Sequence, residues 1–181
     1  SALISACEKG QHWAPALSLL GEVLEATLTP DVVMYSAAIS ACEKGQQWER
    51  GFGLLMEACR SSVRPAVITY NATISACEKG QQWRLALDVG TSTNHRSLHP
   101  NEVTCNALIS ACEKGSRWAH AVGIPSDMSD MGLTLNIVSY GALISSCESG
   151  SQWALAQRYL ATTRRRKLPP SVIACSSCIS A

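Results

Sequence analysis

Val67-Ile68-Thr69-Tyr70-Asn71-Ala72-Thr73-Ile74-Ser75-Ala76-Cys77-Glu78-Lys79-Gly80-Gln81-Gln82-Trp83 decides the fold of this chain, because most of it is written again elsewhere. Its second half, Ser75 to Gly80, occurs also as Ser5 to Gly10, Ser40 to Gly45 and Ser110 to Gly115, and in loosened form as Ser145 to Gly150, at intervals of 35 residues. The tryptophans keep the same interval: Trp13, Trp48, Trp83, Trp118 and Trp153. A fixed period of this length marks an array of stacked supersecondary units, each packing on its neighbours, and not one globular core. A linear array suits a linear or extended partner.

Working outward, the unit from Val32 to Ala66 shows what is repeated. Tyr35, Ala38, Ile39 and Cys42 lie at i, i+3, i+4 and i+7, which is one face of a helix. Gly45 follows, a residue suited to the left-handed conformation that ends helices. Trp48, Phe52, Leu55 and Cys59 give the face of a second helix, and Arg64-Pro65 breaks it. The unit is therefore helix, tight turn, helix and Pro-marked connector. Three residues after each Trp stands a small residue (Ala16, Gly51, Ala86, Ala121, Ala156), which lets the two helices approach while the Trp fills the space beside them. Gly90 with a polar stretch, and Gly123 with Pro125, predict short or bent second helices after Trp83 and Trp118, since an interior Pro costs about 3 kcal/mol.

Composition narrows the class. With 181 residues, 46% hydrophobic, a continuous core can form, yet no apolar run reaches membrane-spanning length. Fifteen basic and 14 acidic residues leave a net charge of +1, so no global field draws the chain to nucleic acid. The basic run Arg164-Arg165-Arg166-Lys167 reads as a solvated turn between units. Five of the nine cysteines (Cys7, Cys42, Cys77, Cys112, Cys147) hold one inward-facing repeat position and read as small buried hydrophobes in a reducing compartment. Cys175-x-x-Cys178 has metal-ligand spacing, but no second pair answers it. His12, His95, His99 and His120 share no repeated position, and no nucleophile motif or phosphate loop occurs. No catalytic residue, metal site or cofactor is expected, and any catalytic domain, capping repeat or targeting segment is expected outside this sequence.

The helix–turn–helix unit fits both tetratricopeptide and pentatricopeptide repeats. The residues Val67 to Ser75, with Val32 to Ser40, Glu102 to Ser110 and Ile137 to Ser145, resemble the opening of a pentatricopeptide repeat, and Arg64-Pro65, His99-Pro100 and Pro169-Pro170 resemble its end. A tetratricopeptide repeat would place its Trp early in the first helix, whereas here Trp opens the second. The resemblance covers the whole chain. It implies an all-α fold, an α-solenoid of tandem helical hairpins in a right-handed superhelix, with units 1–31 (partial), 32–66, 67–101, 102–136, 137–171 and 172–181 (partial).

The same resemblance implies sequence-selective binding of single-stranded RNA, about one base per repeat, in a chloroplast or mitochondrion. RNA processing, stability, editing or translation would be its setting, with RNA-processing proteins as further partners and no membrane. In the family two residues of each repeat read the base. Carried over by position they are Ser1 with Asp31, Ser36 with Ala66, Asn71 with Asn101, Asn106 with Asn136, and Gly141 with Ser171. The first pair suggests guanine and the two Asn pairs suggest pyrimidines, cytosine favoured. Ser36–Ala66 and Gly141–Ser171 depart from the family's well-read pairs, and Leu135 replaces the Pro before Asn136. Val33, Ile68, Val103, Val138 and Ile173 match residues that sandwich bases, a task suited to stiff rotamers; core packing is the other reading. Lys9, Lys44, Lys79 and Lys114 match phosphate-facing lysines, or else solvated helix ends, and Ser149 drops the cation. The alternative to RNA is a tetratricopeptide-like protein-interaction scaffold using the same fold.

Overall fold

In the computed structural model of the chain, residues 2–10, 12–26, 29–61, 63–95, 98–168, 176, 177 and 180 are described. Among them the chain forms ten helices and no strand: α1 (Ala2–Lys9), α2 (Trp13–Glu25), α3 (Val32–Lys44), α4 (Trp48–Arg60), α5 (Val67–Lys79), α6 (Trp83–His95), α7 (Glu102–Lys114), α8 (Trp118–Asp130), α9 (Ile137–Ser149) and α10 (Trp153–Arg165). They divide between two compact units, Ser1–Pro100 and Asn101–Ala181. In the first, α3 packs on α1, α2, α4 and α5, and α5 packs also on α4 and α6. In the second, α9 packs on α7, α8 and α10. First helices thus stack on first helices, and each second helix lies on the layer they make.

That position explains which residues are buried. A first helix has its hairpin partner on one side and further first helices beside it. Besides the anticipated Tyr35, Ala38, Ile39 and Cys42, α3 therefore buries Ala37 and Ala41. A buried Ile or Tyr of this kind contributes about 1.5–3 kcal/mol of hydrophobic stabilisation. On α4 the buried face is Gly51, Leu54, Leu55 and Ala58, turned by one residue from the anticipated Trp48, Phe52, Leu55 and Cys59. Phe52 and Cys59 lie half-buried beside a groove between α4 and α6, and Trp48 is used elsewhere.

The turn between helices corrects the reading of its glycine. Gly45 has φ −82°, Gly80 −81°, Gly115 −81° and Gly150 −98°, so none is left-handed. The left-handed residue comes next: Gln46, Gln81, Ser116 and Ser151, with φ between 51° and 57°. Gln47 N donates to Cys42 O at 2.8 Å and Gln46 N to Glu43 O at 3.2 Å, the paired bonds of a Schellman motif, and the other turns repeat them. Glycine is required for a different reason. A Cβ on Gly45 would collide with the Trp13 ring, on Gly80 with Trp48, and on Gly150 with Trp118. The Trp opening one hairpin's second helix lies against the turn of the following hairpin. It is a contact between repeats, and Arg50 lies 5.0 Å over the Trp13 ring.

The two suspect second helices are not shortened. Helices α6 and α8 each run 13 residues, as α4 does. In α6 the polar stretch satisfies itself: Thr91 and Ser92 hydroxyls donate to Asp88 O and the Thr93 hydroxyl to Gly90 O. Helix α8 passes through Pro125, while its buried Ala121, Ile124 and Met128 hold it in place. Packing outweighs propensity in both. The basic run closes α10, where Arg164 and Arg165 lie in the last turn and face solvent beside the negative helix end.

Candidate nucleic-acid interface

The residue before each of α3, α5, α7 and α9 is its N-cap. The Asp31 carboxylate accepts from Met34 N at 2.8 Å. The Asn101 side chain accepts from Thr104 N at 3.0 Å while Asn101 N donates to the Thr104 hydroxyl at 3.2 Å, closing a capping box. Asn136 accepts from Val138 N and Ser139 N, both at 3.0 Å, and its own N donates to the Ser139 hydroxyl at 3.2 Å. Ala66 holds the same place before α5 and makes no side-chain cap. Three of the residues assigned to base reading therefore also start helices. The signal was in the sequence, since Asn followed three residues later by Thr or Ser is a variant capping box.

One turn into each helix stand the other residues that the sequence assigns to base reading. Ser36 is half-buried; its hydroxyl donates to Val32 O at 2.7 Å and lies 2.6 Å from the Thr69 hydroxyl of α5. Asn106 accepts from the Ser139 hydroxyl of α9. Thr69 and Ser139 are themselves buried polar residues in the third place of the succeeding first helix. Asn71 is 9% exposed, and at Gly141 an added Cβ would meet open space. Ser1, Ser171 and Ile173 lie outside the described residues, as do Cys175 and Cys178.

At the second residue of α3, α5, α7 and α9 the chain departs from ordinary helix design. Val33 is 55% exposed, Ile68 68%, Val103 58% and Val138 66%. These β-branched side chains stand in solvent at the first turn of α3, α5, α7 and α9, so core packing does not account for them. In the second unit Val103 and Val138 sit on the same helices as Asn106 and Asn136's cap, which sets apolar surface beside amide groups.

The lysines close the first helices, where a cation complements the helix end. Lys44 Nζ lies 3.5 Å from the Glu8 carboxylate and donates to Glu8 O at 3.2 Å; Lys79 Nζ lies 2.9 Å from Glu43. Each lysine thus reaches the glutamate of the preceding hairpin, and the Glu-Lys dipeptide becomes an ion-pair ladder within the first unit. Lys9 and Lys114 are exposed at the same place on α1 and α7, and at Ser149 the hydroxyl turns back to Ser146 O. No sequence reading of single repeats finds this pairing, because it joins residues 36 apart.

The cysteines are packing residues. Burial pushes the Cys42, Cys77, Cys105 and Cys112 thiols up to about 11, which keeps them protonated and unreactive at neutral pH. Among the described residues no group of three His, Cys, Asp or Glu side chains is placed to hold a metal ion, and no helix is long and apolar enough to cross a membrane.

Hairpins of one length, joined by one turn and carrying variable polar residues at one end, define a tandem helical-repeat protein. Two family models match it: the PPR repeat family over residues 100–149 and the pentatricopeptide repeat domain over residues 53–115. The chain belongs to the pentatricopeptide repeat family. Its fold matches that of the pentatricopeptide repeat protein PPR10 from maize (TM-score 0.82, 20% identity), covering 98% of this chain and 25% of that one. It matches PPR10 in complex with an 18-nt psaJ RNA element (TM-score 0.78, 21% identity, 98% of this chain, 26% of that). The PPR domain of Arabidopsis thaliana protein-only RNase P 1, in complex with tRNA, is similar over 97% of this chain and 92% of its own (TM-score 0.85, 13% identity). The chain spans about a quarter of the PPR10 length, and no curated protein sequence matches it. Among the described residues, repeat hairpins account for all ten helices.

Proposed function

We propose that this chain binds single-stranded RNA in a base-selective manner, about one base per repeat, through the N-terminal turns of its first helices. The observation that carries the reading is the row of exposed β-branched residues beside the polar pairs: Val103 and Val138 flank the region of Asn106 and Asn136. Apolar side chains held in water offer a stacking surface to unpaired bases, and amides beside them can meet Watson–Crick edges. The RNA-bound PPR10 and RNase P 1 structures support the same reading for this fold. Ser1–Asp31 would favour guanine, and Asn71–Asn101 and Asn106–Asn136 a pyrimidine, cytosine first. Ser36–Ala66 offers little to a base, since the Ser36 hydroxyl proton is given to Val32 O and Ala66 brings no polar atom. Lys9, Lys44, Lys79 and Lys114 would follow the phosphates, with Val33, Ile68, Val103, Val138 and Ile173 against the bases. The setting is RNA processing, stability, editing or translation in a chloroplast or mitochondrion, beside other RNA-processing proteins, and this rests on the family resemblance. No observation favours a peptide-binding scaffold over RNA.

The test is a panel of short single-stranded RNAs with matched DNA and duplex controls, read by fluorescence anisotropy. Asn136→Asp is the informative variant. Asp caps a helix as well as Asn does, so the fold is kept while an amide donor becomes a carboxylate acceptor. The preference at that base should move from cytosine toward uracil, whose N3–H can be accepted. Equal affinity for every nucleic acid, or an unmoved preference, refutes the proposal.

A further inference from the structure

Ser139 and Thr69 are buried hydroxyls in an all-helical layer, 1% exposed each, and buried hydroxyls need partners. Ser139 also accepts from Asn136 N in the capping box of α9, but a first helix forms without a hydroxyl at this place. Helix α3 carries Met34 at the same place and is capped by Asp31 alone, through Met34 N at 2.8 Å. Both hydroxyls reach backwards to the preceding hairpin, and both touch the same position there, Ser36 or Asn106.

The valences fix the direction of these bonds. Asn136 Oδ1 already accepts two backbone N–H groups, and the Ser139 hydroxyl oxygen already accepts from Asn136 N. Ser139 has one proton to give. The Asn136 oxygen, 3.1 Å away, is satisfied, so the proton goes to Asn106 Oδ1. In the first unit Ser36 gives its proton to Val32 O, so the Thr69 hydroxyl is the donor to Ser36 Oγ. In both units the third residue of a first helix donates to the base-reading residue of the hairpin before it.

We propose that this hydroxyl is a positioning residue for base reading: Ser139 holds the Asn106 amide with its oxygen toward the protein and its NH₂ outward. The inference rests on the RNA-binding proposal and deepens it. A side-chain amide otherwise offers a donor or an acceptor by rotation, which would blur recognition. Held by Ser139, Asn106 presents a donor, as does Asn136, whose oxygen is spent on the cap. Two donors side by side select a base edge with adjacent acceptors. Cytosine, with O2 and N3 both accepting, has that edge; uracil, with a donor at N3, does not. At Ser36 the same device leaves one oxygen lone pair and no proton, so that repeat can only accept.

The experiment compares wild type, Ser139→Val and Ser139→Thr on RNAs differing only at the base facing Asn106 and Asn136, with a second series varied at another repeat. Val adds a methyl group, as Thr does, and keeps the two backbone N–H bonds to Asn136 Oδ1, but it no longer accepts from Asn136 N and has no proton to give. Wild type should prefer cytosine over uracil about tenfold, as expected of one well-placed pair of hydrogen bonds. Ser139→Val should bring that ratio to near one, Ser139→Thr should keep it, and the second series should be unchanged in all three. A Ser139→Val protein that retains the ratio overturns the positioning role and leaves RNA reading intact. Wild type that shows no base preference overturns both. Amide NMR of the free protein gives a separate readout: the Asn106 side-chain NH₂ should give two slowly rotating, solvent-exchanging signals in wild type and in Ser139→Thr. Signals identical in Ser139→Val would show that the hydroxyl does not hold the amide.

Discussion

Replacing Gly80 by alanine tests whether the tryptophan of one hairpin locks the next. The backbone there, φ −81° and ψ 5°, suits any L-residue, so conformational freedom gives no reason to keep glycine. By that reasoning alone Gly80→Ala would stabilise by about 0.4–1 kcal/mol through the unfolded chain. Sterics oppose it, because the new Cβ would run into Cδ1 and Cγ of Trp48 and lie 2.9 Å from its Nε1. These atoms are at the root of the ring, which cannot bend aside and must swing out or push the hairpins apart. Overpacking of this kind costs about 1–3 kcal/mol, giving a net loss of about 1–2 kcal/mol. Gly53→Ala is the internal control. It lies inside α4, exposed, with nothing within 4 Å of its Cβ position, and should gain about 1 kcal/mol from helix propensity. Urea unfolding followed by far-UV circular dichroism should therefore move the midpoint in opposite directions, the two variants ending about 1 M apart at a typical slope for this size. In a Trp48→Ala background the Gly80→Ala penalty should vanish. Midpoints moving the same way, or a penalty that survives removal of the indole, would refute the locking contact.

Ser146 has a fully buried hydroxyl without a hydrogen-bond partner, in the place where the other hairpins carry Ala6, Ala41, Ala76 and Ala111. Ser146→Ala should raise stability by about 1 kcal/mol, read as a higher urea midpoint; no gain would show that the hydroxyl is satisfied in solution. The buried thiols set an alkaline limit: the pKa values of Cys42, Cys77, Cys105 and Cys112 rise from the ordinary 9.0 to about 11, so the unfolded chain loses protons first and stability falls between these values. Thermal melts should be flat below pH 9 and drop above it, and at pH 8 iodoacetamide should modify half-buried Cys7 and Cys59 before these four. Lys79→Gln should cost at most about 1 kcal/mol, because its pair with Glu43 is partly exposed. If Lys79 also faces phosphate, the salt dependence of RNA binding should fall by about 0.7–1 in log–log slope, whereas an unchanged slope assigns it to the ion-pair ladder alone.

The hairpin was legible because its signals are local. Helical spacing of Tyr35, Ile39 and Cys42, and the recurrence of Trp, depend only on sequence and period. What the sequence concealed lies between repeats. Gly45 and Trp13 are 32 positions apart, so the glycine looked like a helix terminator when its function is to admit an indole. The Lys79–Glu43 pair was hidden for the same reason, and so was the second-helix face, displaced by one residue toward Leu54 and Ala58. Helices α6 and α8 misled in the other direction: Gly90 and Pro125 argue locally against a helix, and packing on neighbouring helices overrides them. At the candidate site, Val33, Ile68, Val103 and Val138 stand exposed where ordinary core packing would bury them, which no local pattern in the sequence marks.

The N-cap findings constrain how a repeat can vary. The closing residue has to start the next helix, and the best caps are Asn, Asp and Ser, with Thr close behind. Base reading would ask for small polar groups within reach of a Watson–Crick edge, which draws on the same short set. On the proposed function the two demands do not compete at Asn136: the side-chain oxygen is turned inward to the backbone N–H groups, and the NH₂ is the part that can face a base. Exchanging Asn for Asp keeps the cap and inverts the outward chemistry from donor to acceptor, so specificity can change there at almost no cost in stability. Ala66 shows the opposite case. It brings neither a side-chain cap nor a polar group, and α5 is held instead by burying Thr69, Tyr70, Asn71, Ala72, Thr73, Ile74, Ala76 and Cys77, a more continuous burial than α3, α7 or α9 achieves. On the proposed function, a repeat without a reading pair can persist in the array because packing carries it, and that separation of stability from selectivity would let neighbouring repeats differ at one end while remaining alike everywhere else.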